Sequence, residues 1–266
     1  MTVAAAIAAL YLYDLNGVGL LGPDEPRYAA IGRAMAQSGR FITPELWGKP
    51  WFEKPPLLYW MTAAGTAAGL GPELAARLPV ALLSLACLVI SYFLLRREFG
   101  SRAAAVSTAL LATSAGWLAY SNLCLTDLPM AACFSLAVFA ALPLLRAQSG
   151  ASRNAWHFAA IGALLGLAAL AKGLVPVALA VPFVWFLRRF WRQWWVAVSA
   201  FLVIALPWFV AVYLANGNVF LKQFFWKQHI ERLYSPVLRH VQPWYFYFLV
   251  LLLALFPWTP LAGLLA

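Results

Sequence analysis

The run LPVALLSLACLVISYFLL occupies residues 78–95 and is followed immediately by Arg96 and Arg97. It contains no charged residue, and its length is close to the roughly 20 residues that an α-helix needs to cross the hydrocarbon core of a bilayer. The stretch therefore predicts a transmembrane helix that ends at two basic residues.

Similar apolar runs recur along all 266 residues of the chain. We predict about eight transmembrane helices, at roughly 2–20, 78–96, 103–121, 128–146, 155–171, 174–190, 194–214 and 244–266. Hydrophobic residues make up 64% of the chain and charged residues 11%, and the mean hydropathy is +0.79. A soluble protein carries about 25% charged residues. The composition argues against a soluble enzyme, a disulfide scaffold and a disordered tail, and it predicts an all-α polytopic membrane protein.

Basic residues are concentrated in three short loops: Arg96, Arg97 and Arg102; Arg146 and Arg153; Arg188, Arg189 and Arg192. Because short cytoplasmic loops collect Lys and Arg, eight crossings with the N-terminus inside place all three loops in the cytoplasm. The apolar stretch 56–70 is too short to cross, so we predict an interfacial or re-entrant helix there. Two substantial outer segments then remain, at about 21–79 and 215–243. This topology explains the net charge of +10 without nucleic-acid binding.

The first predicted outer segment begins with Gly22-Pro23-Asp24-Glu25-Pro26-Arg27-Tyr28. Asp24 is placed to cap a helix that has Pro26 in its first turn. This helix should end at Gly39, and one of its faces is formed by Tyr28, Ile31, Gly32 and Met35. The alternative is functional, because two adjacent carboxylates at the mouth of a membrane bundle suit a base or an orienting pair.

Two further charges lie near the predicted outer ends of helices. Asp127 precedes Leu128-Pro129 and is either a helix cap or a carboxylate with a function at membrane depth. Lys172 separates two apolar arms, 156–171 and 174–187, which are short enough to hold the hairpin tip below the outer surface. A cation there requires a phosphate or a carboxylate, unless its side chain extends to water.

The most distinctive stretch runs from Gly48 to Trp60 and reads GKPWFEKPPLLYW. Its prolines stiffen the chain beside Lys54, which is a candidate to bind a lipid phosphate as a point charge or simply extends to water. The second outer segment contains WKQHIER at 226–232. His229 and Arg232 there suit phosphate or metal contacts, and His229 with Glu53 would form a partial metal site. For Lys222 and Lys227, an exposed interfacial helix is the alternative.

These motifs resemble those of membrane glycosyltransferases that use polyprenyl-phosphate sugars. The resemblance is greatest to the bacterial aminoarabinose transferases of lipid A, and the protein O-mannosyltransferases are broader relatives. The matching pieces are Asp24–Ala29, Gly48–Leu57, Ala76–Pro79, Thr126–Pro129, Ala171–Leu174 and Phe225–Ile230. They follow the family order across nearly the whole chain, and Pro26 departs from a commoner glycine.

The resemblance implies a GT-C-like fold with an outer active site and interfacial helices in the first outer loop. Residues 1–266 would form a truncated transmembrane glycosyltransferase domain, from which the family's C-terminal helices and soluble domain are missing. The chain's ending at Ala266 without a charged anchor agrees with this expectation. Asp24 would be the catalytic carboxylate and Asp127 a second acid. The residues implied to bind the carrier phosphate are Lys54, Lys172, Arg232, Arg27 and Tyr59. No cofactor is required, although Glu53 and His229 are candidates for a divalent metal.

The expected function is inverting transfer of aminoarabinose, another pentose or a hexose from a polyprenyl phosphate to a lipid A-like or protein acceptor. The expected location is the outer face of the bacterial inner membrane, and the expected partners are the donor, the acceptor and membrane lipids, without nucleic acid. A transporter or channel is the alternative, and a non-catalytic scaffold is a third interpretation. Ionisable residues near outer ends, rather than at mid-membrane on several helices, favour the enzyme.

Overall fold

The computed structural model describes residues 2–146, 155–231 and 242–262. Most of the described chain is helical, as predicted. The helices are α1 (Thr2–Leu12), α2 (Asp24–Ser38), α3 (Leu57–Ala67), α4 (Pro72–Thr113), α5 (Ala115–Ser121), α6 (Asp127–Arg146), α7 (Ala155–Lys172), α8 (Val175–Phe186), α9 (Trp194–Asn216), α10 (Asn218–Leu221), α11 (Phe246–Ala254) and α12 (Thr259–Ala262). A 3₁₀ turn (Arg188–Phe190) follows α8, and a π-helical segment (Lys222–Glu231) follows α10.

Four helices in the described part of the chain are long and apolar enough to cross a membrane: Pro72–Thr113, Asp127–Leu145, Ala155–Lys172 and Trp194–Asn216. The first of these is two helices joined at Gly100, whose φ of 82° and ψ of 168° break the helical path. A hydrogen bond of 2.7 Å between the hydroxyls of Ser84 and Ser121 shows that the chain returns alongside itself after this break. The predicted runs 78–96 and 103–121 thus form one antiparallel pair.

Three of the eight predicted runs form helices that are shorter than predicted in the described residues. The run at 2–20 contains only the 11 residues of α1, and Asp14, with a φ of 51°, lies in the turn that follows. The run at 174–190 contains the 12 residues of α8. The run at 244–266 contains the nine residues of α11, and Pro257 lies just beyond it, where its missing N–H disfavours continuation.

Although α8 has only 12 residues, it connects the two ends of the bundle. It begins at Val175, just after the end of α7. Three residues beyond the end of α8, Arg189 donates hydrogen bonds to the carbonyls of Leu144 (2.5 Å) and Leu145 (2.9 Å) at the end of α6. Since α6 and α7 are antiparallel neighbours, this contact places the end of α8 at the opposite end of the bundle from its beginning.

The first outer segment folds as predicted around α2 and α3. Helix α2 ends at Gly39, whose φ of 69° is left-handed and whose N–H donates to the Met35 carbonyl at 2.9 Å. The predicted face of Tyr28, Ile31, Gly32 and Met35 is buried. Helix α3 has 11 residues, about 16 Å at helical rise, and is too short to cross the bilayer. A two-stranded hairpin, β1 (Glu45–Leu46) and β2 (Lys49–Pro50), lies between them.

Small residues allow close approach of the helices. An added Cβ at Gly162 on α7 would overlap the Ala197 carbonyl oxygen on α9. An added Cβ at Gly65 on α3 would lie 2.5 Å from the Ala75 carbonyl oxygen on α4. Membrane helices associate through such close contacts because lipid supplies no hydrophobic drive between them.

We expect Gly162→Ala to lower the free energy of unfolding by about 1–3 kcal/mol, because α7 and α9 must separate to admit the methyl group. The measurement is the denaturation midpoint of the purified protein in detergent. The control is Gly71→Ala, since a Cβ at Gly71 meets nothing within 4 Å. Equal midpoints for both variants would contradict the assigned α7–α9 packing.

Candidate active site

A buried ion pair between Glu25 and Arg77 joins the segments around the candidate site. Arg77 donates to the Glu25 carboxylate through Nε (3.1 Å) and Nη2 (2.8 Å). The same carboxylate accepts hydrogen bonds from the backbone N–H groups of Leu21 (2.7 Å) and Cys124 (2.6 Å). The side chains of Glu25 and Arg77 are only 1% and 4% exposed, so both charges depend on these partners.

Arg77 also binds the end of the loop that follows α1. Its two terminal nitrogens donate to the carbonyls of Leu15 (3.0 Å), Val18 (2.7 Å) and Gly19 (2.9 Å). Burial alone would raise the pKa of Glu25, but the hydrogen bonds from Arg77 and the two backbone N–H groups outweigh it and hold the pKa below its usual value. Glu25 is therefore an ionised structural carboxylate, and the prediction that Asp24 and Glu25 act as a pair is wrong.

Asp24 faces a different environment from its neighbour. Successive residues of an α-helix point about 100° apart, so Asp24 turns away from Arg77 when Glu25 faces it. The N-cap of α2 is Pro23 without a side-chain cap hydrogen bond, which makes the capping interpretation of Asp24 wrong. Its side chain is 47% exposed and lies 3.4 Å from Arg27.

Asp127 and Lys172 form an ion pair of 2.5 Å between the first residue of α6 and the last residue of α7. Their side chains are 44% and 23% exposed. The pairing confirms that the α7–α8 hairpin tip presents its cation to an anion, here the Asp127 carboxylate. Neither charge is buried in the core, so both remain accessible to a ligand.

Glu53 and Lys54 form the third part of the site. Glu53 accepts a hydrogen bond of 2.6 Å from Arg27, and its other oxygen lies 3.6 Å from Lys54. The Arg27 guanidinium also lies over the Trp51 ring, 5.6 Å from its centroid. Arg27 thus bridges Asp24 and Glu53 and holds α2 against the segment that precedes α3.

These charges meet at one cavity of about 380 Å³ at the end of the bundle. Its lining contains two aspartates, a glutamate, two lysines and several uncharged residues: Asp24, Tyr28, Glu53, Lys54, Leu125, Thr126, Asp127, Lys172, Val175 and Gln228. An open cavity that combines cations with exposed carboxylates is suited to bind a phosphate and to accept a proton beside it.

Five of the nine predicted site residues line this cavity: Asp24, Asp127, Lys54, Lys172 and Glu53. Arg27 lies beside it and contacts two of its carboxylates. The prediction that Tyr59 binds the carrier phosphate is wrong, because its side chain is 0% exposed and its ring packs 5.8 Å from that of Tyr28 in the core. The predictions for Arg232 and for the side chain of His229 fall outside the described residues.

The possible metal site of Glu53 with His229 stays a prediction, because the side chain of His229 lies outside the described residues. No group of three His, Cys, Asp or Glu side chains in residues 2–146, 155–231 and 242–262 is arranged to hold an ion. Glu53 already faces Arg27 and Lys54, whose positive charges oppose a divalent cation. We therefore derive no chemical step through a metal.

Sequence reasoning missed three polar residues that contribute to the cavity. Tyr28 was assigned only to a buried helix face, Thr126 only to the motif around Asp127, and Gln228 only to the motif around His229. Gln228 lies on the π-helical segment, a widened helix form that is frequent at functional sites. Lys222 and Lys227 of the same segment are exposed, which agrees with the interfacial interpretation.

Comparison with known proteins shows to which family the chain belongs. Residues 1–262 match the model of the dolichyl-phosphate-mannose-protein mannosyltransferase (PMT) family. The chain belongs to this family. Over 269 residues it is 33% identical to an undecaprenyl phosphate-α-4-amino-4-deoxy-L-arabinose arabinosyl transferase from Pseudomonas aeruginosa, an alignment that covers 96% of this chain and 48% of that protein.

Two solved structures of this fold are similar to the chain. The crystal structure of ArnT from Cupriavidus metallidurans bound to undecaprenyl phosphate matches with a TM-score of 0.85 and 30% identity, over 98% of this chain and 49% of that one. The protein O-mannosyltransferase Pmt1–Pmt2 complex from S. cerevisiae, bound to its sugar donor, matches in fold alone, with a TM-score of 0.55 and 18% identity over 84% of this chain and 33% of that one. The chain spans about half the length of the curated relatives it matches.

We expect Glu25→Gln to destabilise the protein by about 3 kcal/mol or more at neutral pH, because it leaves Arg77 buried without its counter-charge. A folded-state pKa below the usual value means that the stabilisation is present above about pH 4.3 and is lost as the pH falls through the folded-state pKa. The denaturation midpoint of the variant should therefore vary less with pH than that of the wild type in this acid range.

The control is Asp24→Asn, which changes the adjacent, half-exposed carboxylate. It should keep both the midpoint and the acid dependence of the wild type. A Glu25→Gln protein as stable as Asp24→Asn would show that the buried pair does not stabilise the site.

Proposed function

We propose that this chain is the membrane-embedded part of a glycosyltransferase that moves a sugar from a polyprenyl phosphate to an acceptor. The observation that carries the proposal is the single cavity in which Asp24 and Asp127 lie together with Lys54 and Lys172. The family membership and the names of the relatives support the same reaction class.

The two lysines bind the phosphate of the donor in this proposal. Transfer breaks the bond between the anomeric carbon and the phosphate oxygen, so negative charge accumulates on the departing phosphate. Lys54 and Lys172 stabilise that charge. Lys172 lies 2.5 Å from Asp127 and reaches the phosphate by giving up part of that contact.

Asp24 is the stronger candidate for the base. It is the more exposed of the two aspartates, and its contact with Arg27 is long at 3.4 Å, whereas Asp127 is held directly by Lys172. In the proposed reaction Asp24 accepts the proton of the acceptor hydroxyl or phosphate as the acceptor oxygen attacks the anomeric carbon. A single displacement of this kind inverts the configuration at that carbon. Asp127 orients Lys172 and the acceptor.

The proposed donor is an undecaprenyl-phosphate-linked sugar, since the matching ArnT structure contains undecaprenyl phosphate. Aminoarabinose is the first sugar to test, followed by other pentoses and hexoses, and the acceptor is a lipid A-like molecule or a protein. The proposed location is the outer face of a bacterial inner membrane. The transporter alternative gains no support, because the matched relatives are transferases and the accessible charges gather at one end of the bundle.

We expect Asp24→Asn to lower turnover by a factor of about 10²–10⁴, because it removes the base and leaves the shape of the site unchanged. The protein is expressed from its intact gene, and transfer from an undecaprenyl-phosphate sugar is followed by mass spectrometry of lipid A and of glycoproteins. Asp14→Asn is the matched control, because Asp14 is exposed and does not line the cavity. Near-normal turnover of Asp24→Asn would reject its role.

Replacement of Lys172 by Gln should lower kcat/KM for the donor by a factor of about 10²–10³, because the departing phosphate loses a cation. The expected effect of Asp127→Asn is smaller, and the double variant should be less impaired than the product of the two single effects, since the residues act through one ion pair. Lys222→Gln serves as the control for loss of an exposed lysine. Equal kinetics for Lys172→Gln and Lys222→Gln would contradict phosphate binding by Lys172.

A further inference from the structure

A second cavity, of about 600 Å³, lies between α7, α8 and α9. Its walls are almost entirely apolar, with Val177, Val181 and Phe201 among them. Small residues form its floor, where Gly162 on α7 packs against Ala197 on α9. We call this cavity the lateral groove, because it opens to the side of the bundle, where Val181 is 65% exposed.

The lateral groove lies deeper in the bundle than the candidate active site. Gly162 precedes Lys172 by ten residues of α7, about 15 Å along the helix axis. The groove therefore approaches the arginine-rich end of the bundle, where α8 ends and α9 begins. Exposed aromatic side chains mark this end, as at a bilayer interface: Trp185, Phe186, Trp191 and Trp195.

One cation, Arg188, lies at the end of this apolar groove. Its guanidinium stacks over the Trp185 ring, 4.2 Å from the centroid, and both residues line the groove. The two nearby arginines are placed differently. Arg189 donates to backbone carbonyls of α6, and Arg192 stacks on Trp191 away from the groove lining.

We propose that the lateral groove binds an anionic phospholipid from the leaflet at the arginine-rich end of the bundle. One acyl chain occupies the groove, whose volume lies in the range of about 300–1,000 Å³ typical of small-molecule sites. The lipid phosphate contacts Arg188, and Trp185 lies at the boundary between headgroup and chain. Basic pockets between membrane helices on the cytoplasmic side bind anionic headgroups in this way.

The charge of Arg188 selects this occupant over a neutral one. A neutral polyprenol or a purely apolar helix would fill the groove but would give the guanidinium no counter-charge. In the described residues no carboxylate forms a salt bridge with Arg188, so an anionic headgroup supplies the missing counter-charge.

Lipid retention by the purified protein tests the proposal. The protein is mixed with phosphatidylglycerol or with phosphatidylcholine of the same chains, and bound lipids are counted by native mass spectrometry. We expect preferential retention of phosphatidylglycerol, and Arg188→Gln should reduce that preference about fivefold, the factor that corresponds to about 1 kcal/mol for one basic residue at a membrane surface. Val181→Trp should reduce retention of both lipids by filling the groove.

Arg192→Gln is the matched control, because it removes a nearby arginine that also lies over a tryptophan ring, 5.4 Å from the Trp191 centroid, and that does not line the groove. Equal preference in Arg188→Gln and the wild type, an equal loss in Arg192→Gln, or unchanged retention in Val181→Trp would each overturn the proposal. The last result is also the one expected if another helix or a second copy of the chain covers the groove. Retention is measured without turnover, so its failure is distinguishable from failure of the transfer reaction.

Discussion

The Glu25–Arg77 ion pair fixes the geometry on which the rest of the site depends. It joins the loop after α1, the beginning of α2, the beginning of α4 and the backbone at Cys124. Asp24 is adjacent to Glu25, and Asp127 follows Cys124 by three residues, so the two exposed acids are positioned relative to each other by a pair that never reaches the cavity. Seven hydrogen bonds offset the desolvation cost of burying both charges and make the arrangement specific. Glu25 accepts two from the backbone N–H groups of Leu21 and Cys124 and two from Arg77, and Arg77 donates three more to backbone carbonyls.

Helix ends supply a second constraint on the same site. Asp24 and Asp127 are the first residues of α2 and α6, where the partial positive charge of the helix dipole favours an anion, and Lys172 is the last residue of α7, where the dipole favours a cation. Three charges of the cavity are thus placed at helix ends whose partial charges have the opposite sign. Asp127 and Lys172 lie at one end of the bundle because α6 and α7 are antiparallel neighbours. Asp24, 148 positions before Lys172 in the sequence, lines the same cavity.

Much of this could be predicted from the sequence, because apolar length and the distribution of arginines determine which ends of the helices lie together. Asp24, Lys54, Asp127 and Lys172 were all expected near outer ends, and they share one cavity. The separate roles of Asp24 and Glu25 could not be predicted, since they depend on which side of α2 faces Arg77, a residue 52 positions away. Tyr59 is expected to bind the carrier phosphate, but α3 packs its Leu58–Tyr59–Thr62 face inward, and composition alone does not distinguish a packed face from an exposed one. The shorter helices were missed because hydropathy measures apolar length and not where the chain turns.

The depth of the cavity affects how its ion pairs behave. Helix α8 has 12 residues, about 18 Å at helical rise, and yet it connects the cavity end of the bundle to the arginine-rich end. This is much less than the roughly 30 Å thickness of a bilayer core, so the cavity floor lies below the membrane surface on that side. At such depth an isolated Lys172 would be costly, and the Asp127 carboxylate supplies its counter-charge at 2.5 Å. In the proposed transfer, the donor phosphate would compete with the Asp127 carboxylate for Lys172, and Asp127 would then be available to orient the acceptor. The ion pair would in this way link binding of the donor to positioning of the acceptor.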